Sequence, residues 1–307
     1  MSQIANLTEP KSSVSAQSLP LVSIGLPVYN EEKHLREVLD SLLAQDYENF
    51  EIIISDNAST DGTGRICEEY LPKDERIRYY RNTVNIGGID NFNRTSDLAN
   101  GEFFVWASGH DLRHPTFLSR CVDLLRRDPS VVLCHTEMLW IDADGQSLEQ
   151  NPGNRLDTRG IADLISRLNV VLWGLTGGFP IYGVLRASAL ERTRMNKRVV
   201  APDIAMLINL SLLGTFAYIS EPLFYPRKLP DHGDWKAFVQ KHFKHSAGGW
   251  SAQMLFWRMV GELIRVVWRN TKTFGGRVIG ITFVLLAMFL KYHWMLTGLL
   301  SIRKSRA

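Results

Sequence analysis

The sequence predicts an α/β fold, a sheet with parallel strands flanked by helices, with a helical apolar C-terminal appendage. Two observations carry this. Short β-branched runs stop abruptly in clusters of acids, amides and hydroxyls, and segments with apolar residues at helical spacing follow them. With 307 residues, 45% of them hydrophobic and 22% charged, the chain can bury one large α/β domain plus an appendage.

Met1 to Pro20 has no apolar core and reads as a Ser-rich disordered tail, not a secretory signal. Leu21 to Leu26 is the first strand. It ends in Pro27-Val28-Tyr29-Asn30-Glu31-Glu32, where Pro27 fixes φ and stops the ladder. Asn30 is placed to cap a helix whose Leu35, Val38, Leu39, Leu42 and Leu43 recur at helical spacing. The second strand, Phe50 to Ile54, runs into Ser55-Asp56-Asn57-Ala58-Ser59-Thr60-Asp61-Gly62-Thr63. Asp61 is placed to cap a helix that turns Ile66, Cys67 and Tyr70 inward. Ligands of open α/β sheets bind beyond the carboxyl ends of strands, so both loops are candidate ligand edges. Ordinary turns favour the same residue types, and that reading stands beside the first.

Arg76 to Arg81 is a third strand, followed by Asn82-Thr83-Val84-Asn85-Ile86-Gly87-Gly88, whose glycines permit a tight turn before a helix. Gly101 to Ala107 is a fourth strand, leading into Ser108-Gly109-His110-Asp111. The helix Phe117 to Arg127 carries Leu118, Cys121, Val122, Leu124 and Leu125 for packing. Val131 to Met138 is a further strand, whose His135 and Glu137 either reach a pocket or face solvent and a neighbouring loop. From about Asn151 the connections lengthen. Cys67, Cys121 and Cys134 have no paired spacing and read as buried thiols in a reducing compartment. A net charge of +3 gives no reason to expect nucleic acid, and no GxGxxG follows the first strand, which disfavours a dinucleotide-binding dehydrogenase.

Leu26-Pro27-Val28-Tyr29-Asn30-Glu31 followed by Ser55-Asp56-Asn57-Ala58-Ser59-Thr60-Asp61-Gly62-Thr63 resembles the nucleotide-binding half of a family 2 glycosyltransferase, from about Leu21 to about Asp231. The resemblance implies a GT-A type, Rossmann-like mixed sheet. It divides the chain into a tail (1–20), a glycosyltransferase domain (21–235, with a nucleotide-sugar half 21–145 and an acceptor half 146–235) and a helical membrane-associated region (236–307). It implies inverting transfer of a sugar from a nucleoside diphosphate donor, expected to be UDP-linked, to a hydroxyl of a glycan or lipid-linked acceptor. Surface polysaccharide or glycolipid assembly at the cytoplasmic face of the membrane is the implied setting. The alternative is a nucleotide-sugar-binding protein of weak or no turnover.

Carried over residue by residue, the resemblance places Pro27, Tyr29, Asn30, Glu31, Asp56 and Asn57 at the donor, with Asp56 on the base or ribose. Asn85, Gly87, Asn91 and Asn93 would line the same site. The edge after the fourth strand would carry the metal motif, with Asp111 holding Mn²⁺ or Mg²⁺ against the diphosphate. Ser108 and His110 depart from the acids usual there, and imidazole is a softer ligand that suits Mn²⁺ better. Gly177 to Arg186 resembles the glycine-bearing strand beneath the acceptor, and Asp203, after Pro202 at a helix start, resembles the general base. Arg227, Lys228 and His232 would close over the diphosphate, with His232 also a candidate metal ligand.

Trp250 to Trp268 reads as an amphipathic helix. The apolar run Val278 to Leu290 falls short of the roughly 20 residues a bilayer span needs, and Lys291 and His293 interrupt it. Helices lying in the membrane interface or packed on the domain, anchored by Arg303, Lys304 and Arg306, are expected. A true span is the competing reading.

Overall fold

The computed structural model describes residues 19–148, 155–196, 198–229 and 252–293. The tail to residue 18, His232, and the stretch from Trp294 with Arg303, Lys304 and Arg306 lie outside the described residues.

The strands β1 (Val22–Val28), β2 (Phe50–Asp56), β3 (Ile77–Arg81), β4 (Phe103–Trp106), β5 (Leu112–Arg113), β6 (Val131–Met138), β7 (Val184–Arg186) and β8 (Thr215–Tyr225) form one sheet. Their order is β3-β2-β1-β4-β7-β6-β8-β5. β1 to β4 are mutually parallel, β7 is antiparallel to both β4 and β6, β8 is parallel to β6, and β5 is antiparallel to β8. The sheet is therefore mixed, a parallel half of β1 to β4 joined to a second half through one short antiparallel strand.

β1 and β2 are buried at every position, as strands covered on both faces must be. Their register runs from Val22 opposite Phe50 to Val28 opposite Asp56, so the two polar loops leave the sheet at one height. Pro27 lies within β1 and does not end it. Pairing with β4 stops at Gly25 opposite Trp106, and the Gly25 carbonyl accepts from Ala107 N–H. Pro27, two residues on, faces that same vacated side, where a missing N–H breaks nothing.

α1 (Leu35–Leu43), α2 (Thr63–Tyr70) and α4 (Phe117–Arg127) cover one face of the sheet. α3 (Gly88–Asp97), α5 (Leu164–Gly174), α6 (Ala187–Leu190) and α7 (Pro202–Ser211) complete the main body. Strand alternation divides β4 between two cores: Phe103 and Val105 join the first, Phe104 and Trp106 the second. Asn30 does not cap α1. It sits at φ 57° and turns its side chain to the Thr60 backbone, while α1 starts five residues later behind a turn closed on the Glu31 carbonyl.

The C-terminal helices α8 (Ala252–Asn270) and α9 (Phe274–Leu290) belong to the second core. Leu255, Met259, Leu263 and Val267 of α8, with Val284, Ala287 and Met288 of α9, pack with Leu168, Val171 and Leu172 of α5 and Leu207 of α7. The helices approach closely at Gly280: a Cβ there would stand 2.8 Å from Val267 Cγ1 and 3.0 Å from Ile165 Cδ1. Lys291, which interrupts the apolar run, donates to the Leu172 and Trp173 carbonyls at 3.0 and 2.6 Å, and the Tyr292 hydroxyl donates to Leu172 at 3.2 Å. These are carbonyls that the end of α5 leaves without helical partners, and a cation there also suits the helix dipole. Among the described residues no helix is long and apolar enough to cross a membrane.

Candidate active site

The loops after β1 and β2 are stapled to each other. Asn30 N–H donates to Ser59 Oγ (3.0 Å), Thr60 N–H to Asn30 Oδ1 (2.8 Å), Glu31 N–H to Thr63 Oγ1 (2.8 Å) and Gly62 N–H to Glu32 Oε2 (2.7 Å). Asp61 accepts from Thr63 N–H at 2.9 Å and from Glu32 N–H at 3.2 Å, holding the start of α2 and the partner loop together. Much of the polar chemistry that marks this edge in the sequence therefore builds the edge. Tyr29 stands exposed at its rim.

Several residues expected at the donor point inward. Asp56 is fully buried; its carboxylate accepts from Arg81 (2.6 Å), Tyr79 Oη (2.9 Å) and Ser59 N–H (2.8 Å). Its oxygens are committed to the fold, so the group that meets solvent at this corner is the half-exposed Arg81. Asn91 is buried as well, accepting from Ser55 Oγ and Asn82 Nδ2 and donating to the Ser55 carbonyl. Asn93 donates to the Met195 carbonyl. Asn57 donates to Asn85 Oδ1 and accepts from Asn82 and from Ile86 N–H, fixing the loop before α3. Gly87 sits at φ 90°, ψ 153°, a conformation that L side chains avoid, and so permits the entry to α3. Physically these asparagines supply backbone-like partners inside the loop, which leaves their amides little to offer a ligand.

The loop after β4 meets the first loop. His110 Nδ1 lies 3.2 and 3.3 Å from the Glu31 carboxylate oxygens, and His110 Nε2 lies 3.9 Å from Asp111 Oδ1. A Cβ on Gly109 would fall 2.5 Å from Glu31 Cγ, so only glycine lets Glu31 cross over at this point. Burial by itself would lower the His110 pKa, but the Glu31 hydrogen bond and the Asp111 charge outweigh it, and the net shift is upward. Arg227 corrects the sequence expectation. Its backbone N–H donates to Asp111 Oδ1 (2.8 Å), and its guanidinium donates to the carbonyls of His110 (2.9 Å), Asp142 (3.1 Å) and Ala143 (2.8 Å) and to Glu37 Oε2 (2.6 Å). It is fully buried, a latch behind the His110–Asp111 segment instead of a cover over a diphosphate.

Among the described residues no three His, Cys, Asp or Glu side chains converge as a metal cage. A cation shared with a diphosphate needs only one or two protein ligands, the rest being phosphate oxygens and water. Asp111 and His110 fit that smaller role, and beside them the buried Ser108 hydroxyl has no hydrogen-bond partner.

Asp203 comes from the second half of the sheet. It occupies the first turn of α7, behind Pro202 and an Ala201 held at φ 47°. A Cβ on Gly178 would lie 1.7 Å from Asp203 Oδ2, so the carboxylate rests directly on the Gly178 backbone. Burial raises the Asp203 pKa against the opposing pull of nearby backbone N–H groups. The Gly177 to Arg186 segment is not one strand: Pro180 sits in a 3₁₀ turn over Phe179–Tyr182, and β7 starts only at Val184.

Tyr182, at the end of that turn, was not singled out in the sequence. Burial raises its pKa first, and the charges of Asp111, Asp203 and Glu31 push the same way. One phenol thus senses carboxylates from the β1 loop, the β4 loop and α7. Beneath it Arg113, buried and lowered to about 10 by desolvation, donates to the Tyr182 and Trp106 carbonyls and stacks 3.9 Å from the Phe224 ring. His135 and Glu137 do not face solvent: they tie β6 to the Leu156 carbonyl and to Arg155 and Tyr218. Gly178→Ala is expected to cut turnover about a hundredfold by displacing Asp203, with the circular-dichroism melting midpoint little changed; wild-type turnover would refute this close approach as functional.

A model of "Glycosyl transferase family 2" matches residues 23–192, more than half of the chain. The chondroitin synthase of Escherichia coli is 28% identical over 250 residues, covering 77% of this chain and 33% of that protein. The first curated relatives extend well beyond this chain, which spans less than half of their length. A crystal structure of S. aureus TarS 1–349 with UDP-GlcNAc superposes with a TM-score of 0.65 at 18% identity, covering 87% of this chain and 72% of that one. The mannosyltransferase PcManGT from Pyrobaculum calidifontis, in complex with GDP-Man and Mn²⁺, gives 0.57 at 19% identity, covering 92% and 73%. At such identities the two structures speak for the fold, a GT-A-like mixed sheet, and the family match speaks for the chemistry class: this chain is a glycosyltransferase and belongs to glycosyl transferase family 2.

Proposed function

We propose that the protein transfers a sugar, with inversion, from a nucleoside diphosphate donor, UDP-linked, to a hydroxyl of a glycan or lipid-linked acceptor in polysaccharide or glycolipid assembly at the cytoplasmic face of a membrane. The observation that carries this is that the charges of Asp111, Asp203 and Glu31 all act on Tyr182, with Asp111 and Glu31 in the loops beyond the carboxyl ends of β4 and β1. In a single displacement the acceptor oxygen bonds to the anomeric carbon and gives its proton to Asp203. The electron pair of the breaking C–O bond departs with the diphosphate on the opposite face. The desolvation that raises the Asp203 pKa makes its carboxylate a stronger base than an exposed one. Asp111, held by Arg227 N–H, and His110 are the residues to share a divalent cation with the leaving diphosphate, and such a cation would neutralise its charge.

The solved relatives support a nucleotide-sugar donor, because one holds UDP-GlcNAc and another GDP-Man with Mn²⁺. The exposed apolar residues of α9, among them Phe274 and Phe289 at 74% and 77% exposure, support a seat on a bilayer. The test is diphosphate release from a panel of nucleotide sugars, with Mn²⁺ and with a chelator. Release that requires the metal is expected. Identical release with the chelator would remove the cation from the proposal, and donor binding without release would favour the binding-protein reading to which His110 and Ser108 point.

A further inference from the structure

A cleft of about 660 Å³ lies between the 192–199 loop and α8; neither Asp111 nor Asp203 is in its wall, and five arginines line it: Arg192, Arg194, Arg198, Arg258 and Arg265. The one acid in its wall is Glu262, which pairs with Arg265, while Arg194 reaches out to Asp97 at 2.8 Å. Arg192 and Arg198 are exposed and form no ion pair with a described residue. Several guanidiniums around one opening repel each other, and the ligand that relieves this best is a phosphate, whose oxygens match their paired donors.

The neighbouring surface says which phosphate. With about 3.6 residues per helical turn, Met254, Trp257, Gly261 and Trp268 share the outward arc of α8 with Arg258 and Arg265. Met254, Trp257 and Trp268 are 47, 61 and 47% exposed. Next to them α9 exposes Phe274, Val278, Ile279 and Phe289. From Ala252 to His293 the chain carries six Lys and Arg against a single acid, Glu262. Tryptophan and arginine on one outward arc beside an apolar helix face is the composition of a surface lying at the headgroup level of a bilayer.

We propose that this cleft binds the phosphate of an anionic lipid headgroup, seating α8 and α9 on the membrane with Trp257 and the exposed α9 residues in the acyl boundary. This deepens the membrane-side part of the proposed function and is independent of the sugar chemistry: vesicle binding can fail with diphosphate release intact, and the reverse.

The experiment is co-sedimentation of the full chain with vesicles of phosphatidylcholine alone or mixed with phosphatidylglycerol. Binding to the mixed vesicles and little to the neutral ones is expected. Arg192→Ser combined with Arg198→Ser should weaken that binding about thirtyfold, each basic residue near an anionic surface contributing about fivefold. Arg126→Ser with Arg127→Ser removes the same charge from α4, which packs in the other core, and should leave binding unchanged. Both double variants alter exposed side chains and should melt with the parent. Equal loss in the two double variants, or equal binding to neutral vesicles, would overturn the proposal. So would binding of inorganic pyrophosphate that the Arg192→Ser, Arg198→Ser variant loses, with no vesicle binding by the parent, since the site would then serve a soluble anion.

Discussion

Asp203→Asn is expected to lower turnover by about two to four orders of magnitude and to leave the folded protein at least as stable as the parent at neutral pH. The two effects share one cause. The Asp203 carboxyl is desolvated against the Gly178 backbone, and burial raises its pKa above the ordinary 3.8. The folded state therefore holds this proton more tightly than the unfolded chain does. As pH rises through the ordinary carboxylate range and on through the raised folded value, ionisation costs the folded state more than the unfolded one, and stability falls. Asparagine stays neutral and escapes that loss. The parent and variant should melt together in acid below the ordinary range and separate above it, with the variant the more stable. Turnover of the parent should show an acid limb displaced upward from the ordinary carboxylate range, because the base must be ionised to work. A thermal melt series across pH, run beside a diphosphate-release assay, measures both. Variant turnover near that of the parent would remove Asp203 as the base, and a large drop in neutral-pH stability would make it a structural carboxylate instead.

The sequence made the sheet edge legible because a strand buried on both faces must be a continuous apolar run, and β1 and β2 are such runs. Asp111 and Asp203, the residues proposed for the leaving group and the base, could be picked out because each stands at a boundary that one motif marks. What it left illegible is which way a polar side chain turns. Asp56, Asn91 and Arg227 look like ligand groups until their partners are known, and those partners are tertiary: Arg81 and Tyr79 on β3, Ser55 on β2, and the carbonyls of His110, Asp142 and Ala143. Tyr182 was illegible for the opposite reason, since an aromatic residue beside Ile181 looks like core and only the fold brings the charges of three acids to bear on it. Lys291 shows the same limit. Read along the chain it is a charge that spoils a membrane span, whereas in the fold it closes the end of α5. β5 and β7, of two and three residues, are too short for any period to register.

Arg227→Met is expected to destabilise the fold by about 3–5 kcal/mol. The methionine fills much of the same volume and keeps the backbone N–H to Asp111, so the loss comes from the four acceptors left behind: three carbonyls and the Glu37 carboxylate. Buried acceptors without donors carry the full cost of desolvation. Arg227→Lys keeps the charge but replaces a planar fork by a point, which cannot serve acceptors spread over two loops and α1, so it should recover only part of the stability. Glu37→Gln tests the other end; its side chain is 56% exposed, and the loss should be small. The contrast with a phosphate-binding arginine is direct. An Arg227 that closed over the diphosphate would, on replacement, raise the KM for donor and leave the melting midpoint where it was. A latch behind His110 and Asp111 should instead lower the midpoint and reduce kcat together, because the segment it fixes carries the carboxylate proposed to stand at the leaving group. Urea unfolding and donor-saturation kinetics on the same three variants separate the two, and an unchanged midpoint with a raised KM would return Arg227 to the diphosphate.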